Sequence, residues 1–373
     1  VERIRRSAAA ALLVASLAVA SATAQDTKPP EEPPKPVLTM DQIRGVRVEI
    51  LSPPEKYEGT RSIVLVLHDH IGNGKDTVNR LAALAERGFI VVGPSSKSGG
   101  WTTPELETVK GIARDLFDRY GIPKERRHVA GHWTGAGDLG VLALDEGLGF
   151  RTGCWMNAAW PGGSIPKSAR EGFAGLFLWG AKEGPSRVDR YRRGATSFAE
   201  KARVSVARGE PQEPGLGRSR SEDAVIPTSL LPFWAYFLEC MEGRYVHGRD
   251  LAFDWTEDLE AARAAMGERK IGGLVYVWSK DADDAEKERT KALQNEVFFD
   301  HVVQHFGQQL AAVRLEKTAA KALLEQAKVT ATPAIVVYAK GGKAILKSIA
   351  GDVTAKALVP LLRAAAPDPE LPK

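Results

Sequence analysis

The sequence predicts an α/β protein: a doubly wound, mostly parallel sheet, followed by a smaller α/β domain near the carboxyl terminus. Two observations carry this expectation. Short apolar runs alternate with amphipathic stretches through residues 39–245, and the alternation starts again through residues 250–366. The chain has 373 residues, more than the roughly 100–200 of one typical domain.

Residues 1–24 read as an export signal. Arg3, Arg5 and Arg6 precede an apolar run from Ala8 to Ala20, and Ala22-Thr23-Ala24 offers a small-x-small cleavage site. The run is too short to cross a bilayer as a helix, so a mature chain without a membrane anchor is expected, periplasmic or secreted. Residues 25–38 hold five prolines among charged residues and read as an extended linker.

Buried-strand runs follow at Ser62–Leu67, Phe89–Val92, His128–Ala130, Gly153–Met156 and Gly175–Trp179. Apolar residues at helical spacing predict helices over Thr77–Arg87, Pro104–Tyr120 and Asp138–Leu148, the second opened by Thr103-Pro104 as cap and first-turn proline. Strands this continuously apolar are covered on both faces, as in a parallel sheet. No Gly-x-Gly-x-x-Gly follows the first strand, so a dinucleotide site is not expected, and no other cofactor is indicated.

Charge narrows the partners. Lys and Arg number 51 against 47 Asp and Glu, a net charge of +4 that shrinks further without the basic signal. Nothing in that balance favours nucleic acid. Two cysteines, Cys154 and Cys240, are too few for a disulfide scaffold or a cysteine-rich metal module, although export would permit them to pair.

The stretch Arg127-His-Val-Ala-Gly-His-Trp-Thr-Gly-Ala-Gly137 places a strand before Gly131-x-x-x-Gly135 and a helix after it. In a nucleophile elbow two such glycines permit the turn that lifts a serine above a sheet. With the lead-in Tyr120–Arg127, and with Leu65-Val-Leu-His-Asp69 followed by Gly72-Asn-Gly74, residues 46–240 resemble an α/β-hydrolase domain of the carboxylesterase, phospholipase or thioesterase kind. The resemblance implies a Ser–acid–His triad and an oxyanion loop near His68, Asp69 and Thr134. Residue by residue, the triad positions hold Trp133 for serine, Glu183 for the acid and Arg218 for histidine. Indole has no nucleophilic oxygen, and a guanidinium takes up no proton near neutrality. No histidine lies between Trp133 and Val246 to act as a base from the usual place. An Arg218–Glu183 ion pair is the expected structural substitute.

Two substitutes could supply the lost chemistry. Thr134 carries a hydroxyl but needs a neighbouring base. His68 and His70 alternate onto one side of a strand end, and Asp76 or Asp138 would complete a metal set, but spacing fixes only two ligands, so no metal is expected. Residues 208–226 read as a polar loop over the pocket mouth.

The second unit runs helix Asp258–Met266, strand Gly273–Trp278, a polar helix from Asp283, strand Leu310–Leu315, helix Thr318–Ala327, strands Ala334–Tyr338 and Ala344–Ile349, and helix Thr354–Ala365. Tyr276-Val-Trp-Ser279 and Thr332-Pro333, ahead of an apolar strand and a Gly-Gly turn, make it resemble a thioredoxin-like domain. That resemblance implies a cis-proline loop and a Cys-x-x-Cys pair; the pair's positions hold Ala282 and Ala285, and residues 250–366 contain no cysteine. Thiol–disulfide exchange through this unit is therefore excluded.

The expectation is an exported, non-catalytic protein that binds an unidentified small molecule, peptide or exported protein through Trp133, His70, Thr332 and Pro333. The alternative is an exported ester or thioester hydrolase using Thr134 or a metal, and a third reading is a holdase-like partner of other exported proteins.

Overall fold

The aliphatic run Ile63-Val-Leu-Val-Leu67 has no polar face, and it forms an interior strand of the larger of two sheets. A computed structural model describes residues 35–162, 173–199, 204–210, 226–244 and 252–367; the signal, most of the linker and Arg218 lie outside them. The strands of the larger sheet are β1 (Val37–Ile43), β2 (Val46–Ser52), β3 (Ser62–Leu67), β4 (Phe89–Pro94), β5 (Arg127–His132), β6 (Thr152–Met156), β7 (Ala174–Trp179) and β8 (Val204–Gly209). They lie in the order β1-β2-β4-β3-β5-β6-β7-β8. Only β2 among these runs against its neighbours, so the sheet is mostly parallel, as expected.

Side chains alternate across this sheet. Ile63, Leu65, Leu67, Val129, Trp155 and Phe177 enter one hydrophobic cluster with the helix Thr103–Tyr120. Val64, Val66, Ala130, Cys154, Met156 and Leu178 enter another on the opposite face. That second cluster continues into the smaller sheet, which contains β9 (Trp255–Thr256), β10 (Gly273–Trp278), β11 (Ala311–Glu316), β12 (Ala334–Tyr338) and β13 (Ile345–Ala350), ordered β13-β12-β10-β11-β9. Here β9, β11 and β10 are parallel, and β12 and β13 are added antiparallel.

The helix Leu231–Met241 joins the two sheets. It is buried from Phe233 to Met241, as an all-round apolar helix must be. Phe299 packs on its Phe233, Tyr236 and Phe237 with ring centroids 5.3 to 6.1 Å apart. Residues Pro36–Lys373 accordingly pack as one unit. Among the described residues no helix is long and apolar enough to cross a membrane.

Several boundaries differ from the sequence expectation. The helix expected at Asp138–Leu148 runs Thr134–Ala143, because it begins directly at the turn after β5. The helix expected over Thr77–Arg87 divides into Gly74–Arg80 and Ala82–Ala85 around Leu81. Part of the stretch read as linker is β1, whose exposed Val37, Leu38 and Met40 hide its strand character. Short β9 and the helix His301–Gly307 add to the smaller unit, where too few residues carry a period to be read.

Candidate functional site

The turn after β5 has the backbone of an elbow. Trp133 sits at φ 50°, ψ −111°, a region that costs a bulky L-residue on the order of 1–3 kcal/mol. Its N–H donates to the Met156 carbonyl at 2.9 Å, which holds the strained residue against β6. Both flanking glycines are required by close approach. A Cβ on Gly131 would fall 2.6 Å from the Ala136 backbone, and one on Gly135 would fall 2.4 Å from the His68 carbonyl oxygen.

Above this turn the Trp133 indole carries a cation. The Arg187 guanidinium lies 4.6 Å from the centre of the ring, and its Nη1 is 3.6 Å from Glu183 Oε2. The Tyr191 hydroxyl donates to the same Glu183 oxygen at 3.0 Å. Burial, with the charge of Glu183, pushes the Tyr191 phenol well above its usual range, so it remains a donor. Arg187 and Tyr191 are four residues apart on one face of the helix Pro185–Ala199, and Glu183 lies in the turn just before it. Indole, guanidinium and carboxylate thus form one chain of contacts from Trp133 through Arg187 to Glu183. This line attracts charge and presents a flat surface but transfers no proton. Arg218, expected as the partner of Glu183, lies outside the described residues; Arg187 makes that contact.

Beneath the turn runs a second chain of polar groups. His132 Nδ1 lies 3.2 Å from Asp69 Oδ2, and Asn157 Nδ2 lies 3.2 Å from His132 Nε2. The amide donates to Nε2, so the proton assigned to Nδ1 goes to the carboxylate. Asn157 Oδ1 accepts the Gly180 N–H at 2.9 Å. These bonds tie together residues at the ends of β3, β5, β6 and β7. Burial raises the Asp69 carboxyl, but His132 and the N–H groups of Gly72 and Ile71 outweigh it and hold the group below its usual value.

The expected oxyanion region is closed on itself. The backbone N–H of His70 donates to Thr134 Oγ1 at 2.9 Å, so a donor and the candidate nucleophile satisfy one another. His68 is buried, with Nδ1 2.5 Å from the Asp69 carbonyl oxygen and Nε2 accepting from the Ser96 N–H at 2.9 Å. Both of its nitrogens are therefore occupied by backbone, and His68 is no ligand for a metal. Among the described residues no three His, Cys, Asp or Glu side chains gather as a metal set. Cys154 is a buried thiol, pushed up by its desolvation, and Cys240 is buried as well.

No protein-family model matches the sequence, and no curated protein is significantly similar to it. Solved structures similar to it are α/β-hydrolases and esterases that cover about half of the chain. The Thermus thermophilus protein TT1662 is 19% identical, covers 56% of this chain and 98% of its own, and has a TM-score of 0.41. A fluorophosphonate-binding serine hydrolase of Staphylococcus aureus is 10% identical, over 56% of this chain and 99% of its own, with a TM-score of 0.41. An esterase of Rhizomucor miehei is 14% identical, over 57% and 86%, with a TM-score of 0.42.

In the smaller sheet the Thr332–Pro333 peptide bond is cis and precedes β12. Both residues are buried, and the Thr332 hydroxyl donates to Glu286. Ala282 is buried and Ala285 exposed; between them Asp283 caps the helix Asp284–Ala292 by accepting the Glu286 N–H at 2.7 Å. Sequence reasoning named Trp133, Glu183, Asp69, His70 and Thr134, which lie on or around the turn. It missed Arg187, Tyr191 and Asn157. The four-residue spacing from Glu183 was the available signal for the first two; nothing local marks Asn157.

Proposed function

We propose that the chain is an exported, non-catalytic protein that binds a small molecule, a peptide or another exported protein, with a hydrolase-like frame retained as a recognition surface. The observation that carries this reading is Trp133 at the elbow under the Arg187 guanidinium, 4.6 Å away. A nucleophile at that position needs a base within hydrogen-bond reach, and the group that reaches it is a permanent cation. The remaining hydroxyl, Thr134, accepts from a backbone N–H and has no imidazole beside it in the described contacts. The thioredoxin-like reading of the smaller unit is supported by its strand order and by the cis bond before β12. Without cysteine it offers binding only.

The hydrolase reading is favoured by the similar solved structures, which are α/β-hydrolases and esterases over about half of the chain, and by Thr134, exposed at the head of the helix that follows the turn after β5. Fluorophosphonate labelling together with a panel of short-chain esters separates the two. Neither labelling nor turnover is expected. Labelling lost in Thr134→Ala, or turnover abolished by a chelator but not by that substitution, would move the protein to the hydrolases.

A further inference from the structure

A cavity of about 570 Å³ opens where the end of β8 faces β9 and the helix Leu259–Arg269. It is large enough for a small organic molecule, and its position between two sheets is where such sites concentrate. None of Trp133, Glu183, Arg187 and Tyr191 lines it. Its wall is mixed: Trp179, Phe253 and Leu310 supply apolar surface, and Arg192, Arg208, Arg269, Glu210 and Asp254 supply charge.

The three guanidiniums are not equivalent. Arg208 is bonded to Asp254 and lies 4.5 Å from the Phe233 ring centre, so it is fixed and its charge is met. Arg192 is exposed, lies 5.6 Å from the Trp179 ring centre, and has its nearest carboxylate, Asp189, at 4.0 Å. Arg269 is exposed and has no ion-pair partner among the described residues. The other carboxylate at the cavity, Glu210, already accepts from the Ala181 N–H at 2.9 Å and the Ser229 hydroxyl at 2.5 Å. Aromatic side chains beside Arg269, which is unpaired among the described residues, and Arg192, whose pair with Asp189 is long at 4.0 Å, favour a molecule with a flat apolar body and one negative group.

We propose that this cavity is a binding site for an organic anion of that class, an aromatic carboxylate or sulfonate, held by Trp179 and Phe253 through its ring and by Arg192 and Arg269 through its charge. Guanidinium forks match carboxylate and sulfonate oxygens, and the indole face adds stacking. A neutral aromatic lacks the second half of this recognition.

The test is a titration of the full chain with 1-anilinonaphthalene-8-sulfonate, read by probe fluorescence and by quenching of indole emission. One saturable site is expected. Arg192→Ala combined with Arg269→Ala should weaken it by about tenfold or more, the effect of removing charge-assisted contacts. Both residues are exposed, and an unchanged circular dichroism spectrum confirms that the fold is kept. The uncharged analogue N-phenyl-1-naphthylamine should bind at least about tenfold more weakly than the sulfonate, by the same loss of charge-assisted contacts. Equal affinity for both probes, an unaltered titration in the double variant, or loss of binding in Trp133→Ala would each overturn the assignment.

Discussion

At Trp133 a bulky side chain occupies a backbone conformation that costs energy, and the Arg187 guanidinium lies over its ring. Restoring serine at this position should not restore chemistry. Trp133→Ser is expected to hydrolyse p-nitrophenyl acetate at the uncatalysed rate, because the side chain in contact with position 133 is the Arg187 guanidinium, which takes up no proton; a steady-state assay checks it, and acceleration would mean that an imidazole reaches the turn. Asn157 makes the opposite kind of contribution. Its side chain serves both His132 and the Gly180 N–H in a buried setting, so Asn157→Ala should destabilise the protein by about 1–3 kcal/mol in urea titration, the usual effect of unpaired buried groups. Trp133 was legible from the Gly-x-x-x-Gly frame. Asn157 was not, since its partners come from β5 and the turn after β7, each more than twenty residues away.

The helix Thr103–Tyr120 shows how one element steadies the loop beside the site. Glu105 accepts from the Thr102 N–H at 3.0 Å and hydroxyl at 2.8 Å, completing a capping box. It also accepts from the Lys97 N–H at 2.9 Å and the Ser98 hydroxyl at 2.9 Å. The loop it gathers supplies the Ser96 N–H and the Trp101 indole that hold His68. Burial raises the Glu105 carboxyl, but these donors outweigh it and hold the group at about 2. Its folded-state value is below its unfolded one, so the stabilisation is present above the unfolded value and disappears as pH falls towards 2. Glu105→Gln should therefore lower stability by about 1 kcal/mol at neutral pH. The gap from the wild type should narrow below about pH 4, near the unfolded carboxyl value, which thermal denaturation across pH would show. Thr103-Pro104 announced this helix in the sequence. The bonds from residues 97 and 98 did not appear there, because they depend on how the preceding loop folds back.

Across the whole molecule, the helix Leu231–Met241 makes the two sheets interdependent. Phe299 is fully buried against it, and Phe299→Ala should cost about 3–5 kcal/mol, the range for emptying a packed aromatic site. One unfolding transition is expected in scanning calorimetry for both the wild type and this variant, since a single hydrophobic cluster runs through both sheets. Two separate transitions would show that the smaller unit folds independently of the helix. The alternation of strands and helices, the mostly parallel larger sheet and the Gly-x-x-x-Gly turn with tryptophan inside it were all determined by the sequence. They follow from local periodicity and residue chemistry, which need no distant partner. Only the tertiary structure decided that Arg187 meets Glu183 and covers Trp133, that His70 and Thr134 satisfy one another, and that three arginines gather at a cavity between the sheets. Each of those depends on side chains from separate elements converging, and convergence is set by packing rather than by spacing along the chain.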